Sequence, residues 1–310
     1  MNRFACLFPG QGSQSVGMGK DLYDYSAAAR GYFERADAAL GYSMTRLCFE
    51  GPEEELRLTR NTQPALLTVS VIAYVLLDHE PALAAGHSLG EYSAHVAAGT
   101  LDFEDAVRLV HKRGAYMQEA VPVGVGAMAA ILGAEERVLL AALDDVEGAL
   151  VAVANWNSPD QVVIAGHKEA VERAIARIKP PKSVMLPVSA PFHTRLMKPA
   201  EDRLAADLDG IVFRNPKFPV VTNVDAKAVT TGEEARAALK RQVSRPVLWT
   251  GSMDVLKDAG IGLCVETGPG KVLAGLMKRI SRTWPKPPVL ANVENRESLE
   301  KARRAVSGVL

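Results

Sequence analysis

Hydrophobic positions along the chain fall into short solid runs that alternate with helical stripes. Phe4 to Phe8 is an unbroken apolar run of strand length, and Pro9-Gly10-Gln11-Gly12-Ser13-Gln14 after it is a glycine-rich turn. A helical stretch follows through Tyr23 to Leu40. Pro64 is placed in the first turn of a buried helix carried by Leu66, Leu67, Val69, Ile72, Ala73 and Leu76. Ala82 to Gly86 is again short and apolar, and leads into Ser88 and a helix with Tyr92 and Val96. Strand, loop and helix in this succession argue for a parallel sheet covered by helices.

The middle of the chain has another rhythm. Gly126 to Gly133 reads as strand, Glu135 to Leu143 as helix, Leu150 to Ala154 and Val162 to Ala165 as strands, His167 to Ile178 as helix, and Val184 to Val188 as strand. That order, βαββαβ, is the pattern of a ferredoxin-like unit. The parallel grammar resumes with Val220 to Thr222, Leu263 to Glu266 and Val289 to Ala291, with a helix over Glu233 to Val243. The expected organisation is a large α/β catalytic domain from residues 1–123 and 191–310, with a ferredoxin-like subdomain at 124–190 inserted and a cleft between them.

Composition narrows the classes. Of 310 residues, 36 are Lys or Arg and 36 Asp or Glu, so no global field attracts nucleic acid, and an acidic partner must meet a local basic patch. Lys271, Lys278, Arg279, Arg282 and Lys286 form the densest such cluster, which also reads as a solvated helix face. Cys6, Cys48 and Cys264 are far apart, which argues against a zinc site or disulfide framework and fits a reducing cytoplasm. The apolar run after Arg3 is too short for a signal peptide, and no uninterrupted apolar segment is long enough to span a bilayer. A soluble cytoplasmic protein without a membrane partner is expected.

Candidate chemistry begins at Gly86-His87-Ser88-Leu89-Gly90, a G-x-S-x-G string in which a tight strand-to-helix turn exposes a serine hydroxyl. The alternative is a serine that merely caps the helix. Asp102 opens the next helix with Asp105 three residues on. Its buried stripe runs Phe103, Ala106, Val107, Val110, Gly114 and Met117, and Arg113 lies at the edge of it. Glu104, Asp105 and Glu119 are not at a favourable helical spacing from Arg113. Either a substrate carboxylate supplies its anion, or the side chain snorkels to water or meets a distant acid.

Among six histidines, His79, His95, His111 and His167 fall on or beside helices among charged residues, where surface roles are expected, and His87 suits a core or supporting role. His193, in Ser189-Ala190-Pro191-Phe192-His193-Thr194, sits where the inserted unit returns to the main one and is the candidate base for Ser88. Phe192 beside it is expected to crowd the α-carbon of a substrate. No histidine follows His193, so the Ser, acid, His order of an ordinary α/β-hydrolase fits poorly, and the base can be oriented by a carbonyl instead.

Five strings occur in one order: Phe8-Pro9-Gly10-Gln11-Gly12-Ser13-Gln14, Asn61-Thr62-Gln63-Pro64-Ala65, Gly86-His87-Ser88-Leu89-Gly90-Glu91-Tyr92, Ser189-Ala190-Pro191-Phe192-His193 and Glu266-Thr267-Gly268-Pro269-Gly270. Together they resemble the malonyl-CoA:acyl carrier protein transacylase family and the related acyltransferase domains of polyketide and fatty acid synthases, over nearly the whole chain. The resemblance implies an α/β fold: a hydrolase-like parallel sheet domain with an inserted ferredoxin-like subdomain. It implies Ser88 as acylated nucleophile, His193 as general base, and the backbone N–H groups of Gln11 and Leu89 as oxyanion hole. It also implies Arg113 as ligand of the malonyl carboxylate, a carbonyl of the stretch Arg241-Gln242-Val243-Ser244-Arg245-Pro246 holding the histidine, and Gln63, Met117 and Asn157 as pocket residues. Gly268-Pro269-Gly270 reads as a phosphate cradle or, better, as a turn after a strand.

The implied reaction moves malonyl from CoA to Ser88 and then to the phosphopantetheine thiol of an acyl carrier protein, with neither metal nor redox cofactor. A discrete transacylase of fatty acid synthesis is expected, because the chain opens on its first strand with no synthase domain attached. A transacylase serving a polyketide assembly line in trans remains open. A serine thioesterase or esterase is the reading from another class, against which Arg113 and the missing triad acid speak.

Overall fold

The computed structural model describes residues 3–122, 124–144, 150–188 and 190–308. Val123, at the expected domain boundary, and Ser189, the first residue of the histidine-bearing string, lie outside the described residues. In chain order the strands are β1 (Arg3–Phe8), β2 (Leu83–Gly86), β3 (Gly126–Leu132), β4 (Val151–Ser158), β5 (Gln161–His167), β6 (Lys182–Met185), β7 (Val220–Val221), β8 (Ala228–Val229), β9 (Ile261–Thr267) and β10 (Val289–Val293).

Six of them form a sheet in the order β10-β9-β1-β2-β7-β8. Every pairing in it is parallel except β7 with β8, a short antiparallel edge pair that the sequence pattern did not reveal. β1 shows why a central parallel strand reads as a solid apolar run. Phe4, Cys6 and Phe8 enter the main core on one face, while Ala5 and Leu7 pack with Trp249, Met253 and Leu273 on the other.

The remaining four strands form an antiparallel sheet in the order β4-β5-β3-β6, with the helices Glu136–Asp144 and Lys168–Ile178 in the chain order expected of βαββαβ. β3 is apolar throughout because both its faces are covered. Ala127, Ala129 and Ile131 pack with Leu139, Val171 and Ala174, while Met128 and Ala130 join the core of the large sheet. The small sheet is tied to the rest of the chain where β4 meets the segment before the helix Trp249–Asp258: Trp156 N–H donates to Val247 O and Val247 N–H donates to Ala154 O, each at 2.9 Å.

Several local expectations need correction. The helix over Tyr23 to Leu40 is two helices, Lys20–Tyr25 and Ala27–Leu40, parted by extended Ser26. Pro64 is not in the first turn: its helix runs Thr59–Leu77. A proline there leaves the carbonyl four residues back without its N–H. That carbonyl belongs to Arg60, and His111 Nδ1 lies 2.9 Å from it, which accounts for the tolerance. Asp102 makes no side-chain cap and pairs instead with Arg214 at 2.9 Å. His95 is wholly buried rather than at the surface. β6 ends at Met185, so Leu186 and Val188 continue as irregular chain. Among the described residues no helix is long and apolar enough to cross a membrane.

Candidate active site

β2 ends on Gly86, and the helix Leu89–Ala97 starts directly after Ser88. So sharp a turn brings backbones into contact. A Cβ on Gly86 would lie 1.9 Å from the carbonyl carbon of Gly90, and one on Gly90 would lie 1.9 Å from Phe8 O, so only glycine fits either place. Ser88 between them has φ 52 and ψ −106, a strained conformation for a residue with a Cβ. Its side chain makes no capping bond. Its N–H donates to Asn223 Oδ1 at 2.6 Å, and Asn223 Nδ2 donates to Gly86 O at 2.7 Å, so one amide clasps both sides of the elbow.

Ser88 Oγ lies 2.7 Å from His193 Nε2, although the residues are 105 apart in sequence. His193 Nδ1 is 3.0 Å from the main-chain carbonyl of Gln242. A carbonyl can only accept, so Nδ1 carries the proton and Nε2 presents its lone pair to the hydroxyl. Burial, followed by the neighbouring Arg113 guanidinium, pushes the His193 pKa down to about 3. The imidazole is therefore neutral at physiological pH and free to take a proton.

Arg113 is 1% exposed, deeper than the stripe edge the sequence suggested. Nη1 donates to Gln63 Oε1 at 2.9 Å, and Nη2 to Gln242 Oε1 at 2.9 Å and to Ser88 Oγ at 3.2 Å. Its guanidinium lies 5.3 Å from the centre of the Tyr92 ring. Among the described residues it forms no salt bridge: the acids on its own helix pair elsewhere, Glu104 with Arg35, Asp105 with Arg108 and Glu119 with Arg203, and the buried Glu91 is linked to it through Gln242. Nε makes no hydrogen bond, and burial lowers the guanidinium pKa. A buried cation held by neutral oxygens alone is costly, and an arriving carboxylate would offset that cost.

Around these groups lies a cavity of about 110 Å³. The large sheet's segments contribute Gln11, Gln63, His87, Ser88, Leu89, Arg113, Met117, Phe192 and His193 to it, and the small sheet's contribute Met128, Asn155, Leu186 and Val188. Gln63 and Met117 touch, with Gln63 Nε2 3.6 Å from Met117 Sδ. Leu89 is the first residue of its helix, so its N–H has no acceptor within the helix, and Gln11 sits in the turn after β1.

Asn157 is not among the lining residues; its Oδ1 accepts from His87 Nε2 at 2.8 Å, and Asn155, two residues earlier on β4, lines the cavity instead. Sequence reasoning missed Asn155, Asn223 and the small-sheet wall. Gly268-Pro269-Gly270 is a turn, and the amides of the helix after it are occupied: Leu273 and Ala274 N–H donate to Glu266 at 3.0 and 2.8 Å.

A hydroxyl on a strained elbow, a neutral imidazole upon it and a buried cation line one small cavity, an arrangement suited to acyl chemistry at the hydroxyl. Fold and site define an enzyme of acyl transfer. By sequence the chain belongs to the Acyl transferase domain family, which it matches over residues 5–303. It is 52% identical over 291 residues to the malonyl CoA-acyl carrier protein transacylase of Escherichia coli strain K12, covering 91% of this chain and 94% of that one. Its backbone superposes on an acyl carrier protein S-malonyltransferase from Vibrio cholerae with a TM-score of 0.93 at 45% identity, over 97% of this chain and 99% of that one. A malonyl-transacylase solved in complex with a type II PKS acyl-carrier protein gives 0.94 at 46% identity, over 98% of this chain and 100% of the other.

Proposed function

We propose that the protein moves malonyl from malonyl-CoA to the phosphopantetheine thiol of an acyl carrier protein through an acyl-enzyme on Ser88. The observation that carries this reading is Arg113, a buried guanidinium that forms no salt bridge among the described residues and lies 3.2 Å from the hydroxyl that His193 also holds. The names of the relatives support the same substrate pair.

In this reaction His193 Nε2 takes the Ser88 proton while Oγ attacks the malonyl thioester carbonyl. The N–H groups of Gln11 and Leu89 bind the oxyanion, and Arg113 grips the distal carboxylate with Gln63 and Gln242 orienting it. The tetrahedral intermediate expels the CoA thiolate, which takes the proton from His193. The carrier thiol then gives its proton to His193, attacks the Ser88 ester and leaves with the malonyl group, and Ser88 recovers its proton. Met117 and Phe192 close the apolar side of the pocket. Neither metal nor redox cofactor enters any step.

Fatty acid synthesis in the cytoplasm is the proposed setting. A polyketide carrier is the second reading, favoured by the relative solved with a type II PKS acyl-carrier protein. The test is incubation of malonyl-CoA and the protein with a phosphopantetheine-bearing carrier of each kind. Malonyl-carrier should form without free malonate, and the faster carrier names the pathway. Release of malonate at the same rate without any carrier would mean a thioesterase.

A further inference from the structure

Glu91 is wholly buried in the first turn of the helix Leu89–Ala97 and has no part in the steps above. A buried carboxyl is expensive unless its oxygens are satisfied. Here one oxygen does all the accepting: Oε2 takes the N–H of Asn223 at 2.9 Å and Nε2 of Gln242 at 2.8 Å, while Oε1 makes no hydrogen bond. Between them those two residues reach every reacting group. Asn223 holds Ser88 N–H and Gly86 O. Gln242 Nε2 also donates to Ser88 O at 2.9 Å, its Oε1 accepts from Arg113, and its main-chain carbonyl accepts from His193. Three segments distant in sequence, the elbow, the chain after β7 and the end of the helix Gly232–Gln242, thus meet at one carboxylate oxygen.

We propose that Glu91 is a positioning residue for acyl transfer, acting through Asn223 on the Ser88 elbow and through Gln242 on His193 and Arg113. The proposal rests on the Ser88 acyl-enzyme reading. The acid absent from a Ser-His-acid arrangement is present one residue removed, since Gln242 stands between Glu91 and the imidazole. Because only Oε2 is used, a glutamine can replace the glutamate by putting its amide oxygen there. Leucine cannot accept at all, and aspartate withdraws the carboxylate by one methylene.

The experiment is single-turnover loading by malonyl-CoA, read as intact mass against time, for the wild type, Glu91→Gln, Glu91→Leu and Glu91→Asp, with thermal unfolding of each. Misplacing reacting groups by about 1 Å costs about a hundred-fold in rate. We expect that loss in the maximal loading rate of Glu91→Leu and Glu91→Asp, with the half-saturating malonyl-CoA concentration within about three-fold and Glu91→Gln within about three-fold of wild type throughout. Aspartate keeps the test open if the leucine variant does not fold. A folded Glu91→Asp or Glu91→Leu protein that loads at the wild-type rate overturns the proposal. So does a Glu91→Gln protein as slow as these, or a loss confined to half-saturation. A wild type that takes up no malonyl overturns the acyl-enzyme reading itself, whereas wild-type loading with unaffected variants removes only the role of Glu91.

Discussion

The two sheets meet at one cavity but bring different chemistry to it. From the parallel sheet's loops and helices come Ser88, His193, Arg113, Gln63 and Gln11, with Glu91, Asn223 and Gln242 buried behind them in a connected set of hydrogen bonds. From the antiparallel sheet and the chain that follows its last strand come Met128, Leu186, Val188 and a single polar side chain, Asn155. The difference follows from topology. Parallel strands end together, so their loops cluster and can converge on one point. An antiparallel sheet with one face on its own helices has its other face free to serve as a wall. Reaction and substrate fit should therefore be separable by mutation, the first lodged in one sheet's segments and the second shared with the other's.

The largest expected effects lie on the parallel-sheet side. His193→Ala should slow loading and carrier release alike by about a thousand-fold, since one base serves both directions. Rapid-quench rates of the two half-reactions test this, and a loss confined to one of them would assign His193 another role. Arg113→Ala should lower kcat/KM for malonyl-CoA by about a hundred- to a thousand-fold and leave acetyl-CoA little changed or improved, because acetyl gives the guanidinium no anion. Arg113→Lys should recover part of the malonyl rate. Equal losses for both substrates in a folded Arg113→Ala protein would make Arg113 a structural residue.

Smaller effects probe the fit. Phe192→Ser should shift the malonyl to methylmalonyl ratio of kcat/KM by about ten-fold toward methylmalonyl, the worth of one methyl in an apolar pocket. Met128→Ala, on the wall, should shift the same ratio in the same sense by less, without changing the maximal malonyl rate. A Met128→Ala protein as slow as His193→Ala would erase the distinction between the sheets.

A pH series sharpens the contrast further. His193 has its pKa lowered to about 3, so the base form is complete above that value and lost only below it. Between about pH 5 and 8 His193 should contribute no ionisation to the loading rate. Burial lifts Glu91 to about 7, against Asn223, Gln242 and Arg113, with Asp225 adding to the rise and Tyr92 also facing it. An ionisation seen near pH 7 should vanish in Glu91→Gln. Its persistence there, with loading lost toward pH 5, would mean that the imidazole titrates in that range.

Much of this was legible beforehand. The run Phe4 to Phe8, the G-x-S-x-G string and the βαββαβ rhythm each have a local cause, a face or a turn that the residues themselves impose. Arg113 was visible as a cation without a helical partner. Asn223 and Glu91 were not, because their use depends on a long-range meeting: Asn223 holds the amide of a residue 135 positions away. Pro64 misled for the same reason, since its tolerance comes from His111 on another helix. β4 is bulged between Val153 and Asn155 and again between Trp156 and Ser158, so plain alternation along the strand could not tell which asparagine reaches the cavity: Asn155 lines it, and Asn157 bonds His87.

The central claim is that Ser88 carries the malonyl group. Intact mass after incubation with malonyl-CoA alone tests it most directly, followed by peptide mapping of any adduct. The account predicts a single malonyl adduct on the peptide containing Ser88, discharged when a carrier thiol is added, and none on Ser88→Ala. An adduct of equal yield on Ser88→Ala, or one mapped to another residue of the wild type, would contradict it.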